Sequence, residues 1–338
     1  MSVEGQRGFV LVSSIWLTLI MLFFAGLFSY VASNQFEHAL HSKQRTQDSL
    51  DGFATEQTFL YLFATNSASR EGLGLDGREG RAVVRLDGSI YKGFGRIRFD
   101  VTDYSGLVGL NTLSNYHLAR LLEPHEASGL EREILLNTLY DYIDLDDFPK
   151  LNGGEDAAYR VARMEPPTND YLRSPLELYS VLGWQDWLDA HPEFKVEWLS
   201  TNWRSRVNIN NLPEELFARL LDVPKRETER LMNRRREQPF RNMEDVAEVL
   251  NFAVDLEVDY FTFLPSDKVR LRINNGRNLE TVVIRFSPFG QETPWEIDYR
   301  YQSESDHNAR KPAGPVGQGF FDWQLPATAG QDLLSGRR

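Results

Sequence analysis

The densest run of oxygen donors in the sequence is DYIDLDDFPKLNGGEDAAY, from Asp141 to Tyr159. It sets Asp144, Asp146, Asp147, Asn152, Glu155 and Asp156 around a Gly-Gly pair. Hard cations such as calcium collect about six to eight oxygens from carboxylates, amides and carbonyls, often on one short loop. The spacing is not that of an EF-hand, which needs alternating ligands with a glycine at the sixth place and a glutamate at the twelfth. The same residues suit an acidic surface loop whose Asx turns lead into a helix N-cap. The residues alone leave both readings open.

Other chemistry is sparse. The six histidines (His38, His41, His117, His125, His191, His307) are scattered, and no H-E-x-x-H pair occurs. There is no cysteine, which excludes a disulfide framework, thiolate-ligated metal and a thiol nucleophile. No G-x-S-x-G, P-loop or dinucleotide fingerprint is present, and no spacing singles out a catalytic pair among 49 acidic residues. The reading is a protein that binds and assembles, not an enzyme. A basic run, Arg234 to Arg236, ends the segment DVPKRETERLMNRRREQPFRNMEDVAEVL, whose layout resembles helix-hairpin-helix or SAM-like modules. DNA-binding versions approach phosphate through a glycine-containing turn. Pro224-Lys225-Arg226-Glu227 stands there instead, and the net charge of −12 disfavours nucleic acid as a partner. A membrane-tethered DNA receptor of this type is the alternative reading of the chain.

Several elements must position these residues. RAVVRLDGSIYKGFGRIRFDVTDYSG reads as two strands around an Asp-Gly turn. KVRLRINNG, LETVVIRF and PWEIDYRYQ read as three further alternating strands that join the same antiparallel sheet. Between them the composition turns to helices and loops, and a repeat appears. VGLNTLSNYHLARLLE (108–123) aligns without gaps on VNINNLPEELFARLLD (207–222), with seven of sixteen positions identical. Each copy is a short extended segment followed by a helix, with Ser114 as a candidate N-cap and Pro213 in a candidate first turn.

The remaining element is GFVLVSSIWLTLIMLFFAGLFSYVA, from Gly8 to Ala32. Phe9 to Ala32 is an uncharged, mostly apolar run of 24 residues, long enough as a helix to cross a hydrocarbon core of about 30 Å. It is too long for a cleaved secretory signal. Helical periodicity continues through Phe36, Leu40, Leu50, Phe53, Phe59, Leu60 and Phe63 with spacings that suggest one apolar face. A plain signal anchor fits this stretch. So does a different processing route, because the polar leader MSVEGQRG ends in Gly8 directly before Phe9.

That junction resembles a type IV prepilin leader, which implies cleavage between Gly8 and Phe9 by a prepilin peptidase and methylation of the new N-terminus. In that superfamily the fifth mature position usually carries a glutamate that neutralises a neighbour's terminal amine; here it is Ser13. The order GLVGLN, D-Y-I-D-x-D, N-G-G-E, Tyr159, PPTND and SPLELYSVLGW is similar to the central domain of the K-type minor pseudopilins of type II secretion (general secretion pathway protein K). Asp141, Asp144, Asp146, Gly153, Glu155, Tyr159, Asn169, Ser174, Glu177, Leu178 and Gly183 stand at matching places. Tyr142 replaces a tryptophan, Gly154 an alanine, and the Asn-Thr-Ala-Pro usual after the second VNI is missing.

The resemblance implies an α+β pilin fold, a long membrane helix on an antiparallel sheet, with a large inserted all-α, SAM-like domain. Its divisions are a leader over 1–8, a long helix over 9–66 with 9–32 in the membrane, and the first part of the sheet over 67–105. An insertion follows over 106–263, in modules 106–205 and 206–263, then closing strands over 264–302 and a tail over 303–338. It further implies calcium, with Asp144, Asp146 and Glu155 as ligands. The implied partners are the I-type and J-type minor pseudopilins and the pseudopilus, with secreted substrates beyond. The implied place is the inner membrane, single-pass, with the N-terminus cytoplasmic and the body periplasmic.

Overall fold

Helix α1 runs from Arg7 to Thr65, 59 residues that span about 88 Å at the α-helical rise. The computed structural model describes residues 7–75, 82–112, 114–123, 129–250, 258–287, 290 and 292–304. Most of the leader, and the tail aromatics Phe320, Phe321 and Trp323, lie outside the described residues. Every described side chain from Leu11 to Tyr30 is exposed, so among the described residues nothing packs on the apolar half of α1. The second half lies on a sheet. Phe59, Leu60 and Phe63 are buried there, whereas Phe36, Leu40, Leu50 and Phe53 are at least half exposed. The single apolar face expected from the spacing is two faces. At about 100° per residue, Leu50 and Phe59 fall on opposite sides of the helix.

A small antiparallel sheet follows, with β1 (Ala68–Ser69), β2 (Gly72–Leu75) and β3 (Ala82–Val84). The main sheet begins with β4 (Asp87–Lys92) and β5 (Arg98–Asp103) and ends with β10 (Lys268–Asn274), β11 (Asn278–Phe286) and β12 (Trp295–Glu304). Its order is β12-β11-β10-β5-β4, antiparallel throughout, so β5 and β10 are hydrogen-bonded neighbours and the chain between them is an insertion. The expected Asp87-Gly88 turn is instead an irregularity at the start of β4, and the hairpin closes at Gly93–Ile97. Asp87 explains the change. Its carboxylate accepts from the Ser89 amide and the Arg85 Nε, which holds Gly88 at positive φ without reversing the chain. The Asn274–Asn278 turn forms as read, with Asn275 Oδ1 accepting from the Arg277 and Asn278 amides.

Alternation sorts the sheet into two faces. Phe99, Val101, Leu271, Ile273, Val282 and Ile284 pack with α1, where Phe59 lies 6.5 Å from Phe99 and Phe63 lies 5.6 Å from Phe286. Two ion pairs pin the helix. Arg300 of β12 grips the buried Glu56 with both nitrogens (2.6 and 3.1 Å), and Arg96 holds the buried Asp48. The opposite face carries Arg270, whose guanidinium donates to the Glu197 carbonyl oxygen, and Arg272, 2.9 Å from Asp100. That face meets the insertion.

The insertion comprises β6 (Val108–Gly109), α2 (Tyr116–Leu122), α3 (Gly129–Ile143), α4 (Asp156–Ala162), α5 (Trp184–Ala190) and β7 (Leu199–Ser200). After them come β8 (Val207–Asn208), α6 (Glu214–Leu221), α7 (Lys225–Glu237), α8 (Met243–Leu250) and β9 (Phe261–Thr262). The two repeat copies are built alike. Each opens with a short parallel pair, β6 with β7 and β8 with β9. The aligned asparagines do the same work: Asn111 bridges the amide and carbonyl of Leu172, and Asn210 those of Phe240. The helix starts sit a residue from the expected places. Asn115 rather than Ser114 is the N-cap of α2, and Pro213 is the N-cap of α6. A Cβ on Gly106 would collide with the Asn211 carbonyl, so only glycine lets the chain entering the first copy approach the second.

Candidate functional site

The acidic stretch folds as the loop joining α3 to α4. Asp141, in the last turn of α3, is fully buried. Its carboxylate accepts from the Lys150 amide (3.0 Å) and the Gly154 amide (2.8 Å), which ties the loop back onto the helix. Any side chain at Gly153 would collide with that carboxylate, which accounts for the glycine in N-G-G-E. Asn152 and Asn169 take left-handed backbone, with φ of 59° and 46°. Asp146 is exposed and closes an Asx turn onto the Phe148 amide (2.9 Å), while Asp147 accepts from Asn169 Nδ2 (3.1 Å). Asp156 pairs outward with Arg160.

Asp144 and Glu155 are different. Glu155 is 8% exposed and stands at the N-cap of α4, yet its side chain makes no capping bond. Burial, then the charges of Asp141, Asp144, Asp147 and Asp146, push its carboxyl up to about 7. Burial and the neighbouring Asp146 and Asp141 also push Asp144 up. Asp144 Oδ1, Glu155 Oε1 and Asn169 Oδ1 are buried without a hydrogen-bond partner among the described residues. Such oxygens are costly unless a donor or a cation meets them. The donor set, carboxylate and amide oxygens, is the kind a hard cation takes. Among the described residues no group of three His, Cys, Asp or Glu side chains stands already gathered to ligand distance.

The basic run is not a surface feature throughout. Arg235 is 1% exposed, donates to the carbonyls of Leu212 (2.7 Å) and Ile209 (3.1 Å), and lies 3.5 Å from Asp87 of β4. Arg85 reaches the carbonyls of Arg235 and Arg236, and Arg234 donates to the Gln238 carbonyl. Within the basic run that the alternative DNA-receptor reading would use, Arg235 is not available to a phosphate backbone, because it ties α7 to the sheet. Gly8 and Phe9 lie in the first turn of α1, and Ser13 lies in its exposed apolar run.

One polar centre escaped the sequence reading. Asp103, at the end of β5, accepts from the amides and hydroxyls of Ser105 and Ser266 and from the side chains of Asn208 and Asn211, at 2.6–3.2 Å. It clasps both strands of the insertion's root. The signal was thin: one aspartate among many, with partners up to 163 residues away.

No protein-family model matches the chain, and no curated protein matches it in sequence. A solved structure does match in fold: a chain of the GspK-GspI-GspJ complex from the type II secretion system of enterotoxigenic Escherichia coli. The superposition covers 79% of this chain and 100% of that one, with a TM-score of 0.51 and 16% identity. The likeness is one of fold: this chain's long apolar helix, antiparallel sheet and helical domains make a mixed α+β, pilin-like architecture.

Proposed function

We propose that this chain is a K-type minor pseudopilin, working by assembly at the tip of the periplasmic pseudopilus in type II secretion of folded proteins. The observation that carries the proposal is the insertion of a large helical body between two hydrogen-bonded strands of a pilin-like sheet, on the face opposite α1. A subunit of that shape offers its helix for packing below and its bulk to block addition above. Ser13 supports the same place, since a carboxylate in lipid is costly unless a neighbour's amine pairs with it. The fold match to a complex containing GspI and GspJ supports minor pseudopilins of those types as partners. On this reading the N-terminus is cytoplasmic, the body is periplasmic and processing occurs between Gly8 and Phe9.

The test is the intact mass of the mature chain from cells with and without an active prepilin peptidase. A peptidase-dependent start at Phe9, N-methylated, is the expected result. A chain that keeps its leader in both strains would overturn the proposal and leave a plain signal anchor.

Calcium at the loop between α3 and α4 belongs to the same reading, with Asp144, Glu155 and Asp146 as the carboxylate ligands and Asn169 as a neutral one. Its support is the three unpartnered buried oxygens. The ion would offset the burial and the carboxylate repulsion that together push the Glu155 carboxyl up. Calcium should raise the melting temperature of the wild-type protein and leave Asp144→Asn and Glu155→Gln unmoved. Equal melting temperatures in calcium and in chelator would remove the metal.

A further inference from the structure

Where the 201–206 linker of the insertion crosses the end of the sheet, an open cavity of about 280 Å³ is lined by Asn202, Trp203, Arg204, Asp267, Lys268 and Arg285. Its size is just below the roughly 300 Å³ at which small-molecule sites begin, room for one or two small rings. Trp203 is 65% exposed, an uncommon position for an indole, with the Arg204 guanidinium 5.3 Å from the ring centroid.

The charges around the cavity nearly cancel. Lys268 lies 2.6 Å from Asp298, and Arg285 lies 2.8 Å from Asp298 and 3.8 Å from Glu296. Arg204 and Asp267, the remaining pair of opposite charges, have no ion-pair partner among the described residues. Asn202 Oδ1 accepts from the Arg204 amide, and its Nδ2 is left to donate. A compact anion would meet one uncompensated cation and a carboxylate beside it. A hydrocarbon would leave the polar walls unpaired. A neutral ring bearing hydroxyls satisfies both conditions, because each hydroxyl donates and accepts and its C–H face packs on an indole.

We infer that this cavity binds a neutral saccharide, with a pyranose ring stacked on Trp203 and its hydroxyls shared among Asn202, Arg204 and Asp267. The experiment titrates the full chain, in a detergent without a sugar head group, with cellobiose and diacetylchitobiose, read by saturation-transfer NMR. At least one disaccharide should bind saturably, about tenfold more weakly in Trp203→Ala and in Asp267→Ala. Trp203→Phe, which keeps an aromatic face, should retain most of the affinity. Trp203 is exposed, so melting temperatures equal to wild type verify that the alanine variant folds. No saturable binding of either sugar would overturn the inference, as would binding untouched by Trp203→Ala. Binding of inorganic phosphate in place of sugar would also overturn it and make the cavity an anion site.

Discussion

His117 lies buried among Tyr116, Tyr260 and Phe261, with Nε2 2.8 Å from the Tyr260 carbonyl oxygen. A carbonyl only accepts, so Nε2 carries the proton of the neutral ring. Burial, aided by Arg120 and opposed by the Tyr260 carbonyl, takes its pKa down to about 4. In the unfolded chain a histidine titrates near about 6.5. Between those values the unfolded state binds the extra proton, so His117 costs stability as pH falls from about 6.5 towards 4. The melting temperature of wild type should fall across that window relative to His117→Gln, and parallel curves would contradict the assignment. Arg235 makes a second residue-scale point. Arg235→Met should cost about 3–5 kcal/mol in denaturant unfolding, because it takes one of two guanidinium partners from the buried Asp87 and leaves the Leu212 and Ile209 carbonyls without their donor. A conservative loss below about 1 kcal/mol would show that Arg85 alone satisfies that carboxylate.

At the scale of elements, Asp103 decides where the insertion joins the sheet. Its donors come from the residues just after β5, from the second repeat copy and from the residues just before β10. Asp103→Ala strands several buried donors at once and should lose at least about 3 kcal/mol. Asp103→Asn, which keeps one acceptor, should lose less; equal losses would mean that packing and not hydrogen bonding fixes the root. The three closing strands were legible because their alternation is regular and the turn between the first two carries Asn-Gly. The Asp-Gly at 87–88 has the same local signature but a different outcome, and one partner that holds Asp87, Arg235 of α7, reaches it only in the tertiary fold.

For the whole molecule, α1 has two distinct faces beyond its apolar N-terminal half. Phe36, Leu40, Leu50 and Tyr61 fall within an arc of roughly 80° and are 50–66% exposed, opposite the face that Phe59 and Phe63 bury on the sheet. Exposed apolar side chains in register along a helix favour packing against another helix. Phe36→Asn with Leu40→Asn should change the chain's own stability by less than about 0.5 kcal/mol. If the proposed function holds, co-purification with minor pseudopilins of the I and J types should fall at the same time. Unchanged co-purification would direct the search for the assembly face to the insertion.

Local chemistry alone determined much of this protein. The uncharged apolar run and the strand alternation specify a membrane-length helix and an antiparallel sheet, because both depend only on neighbouring residues. The internal repeat was visible for the same reason, down to the paired Asn111 and Asn210. Tertiary structure decided the rest. It buried Arg235, which reads as one of three solvated arginines until α7 meets β4. It split the apolar positions of α1 between a sheet and an exposed face, and among the described residues it left Asp144 Oδ1 and Glu155 Oε1 buried without a hydrogen-bond partner. It also brought Trp203 beside Lys268 and Arg285, residues 65 or more positions apart. Each of these outcomes is set by who packs on whom, and spacing within one segment carries no record of it.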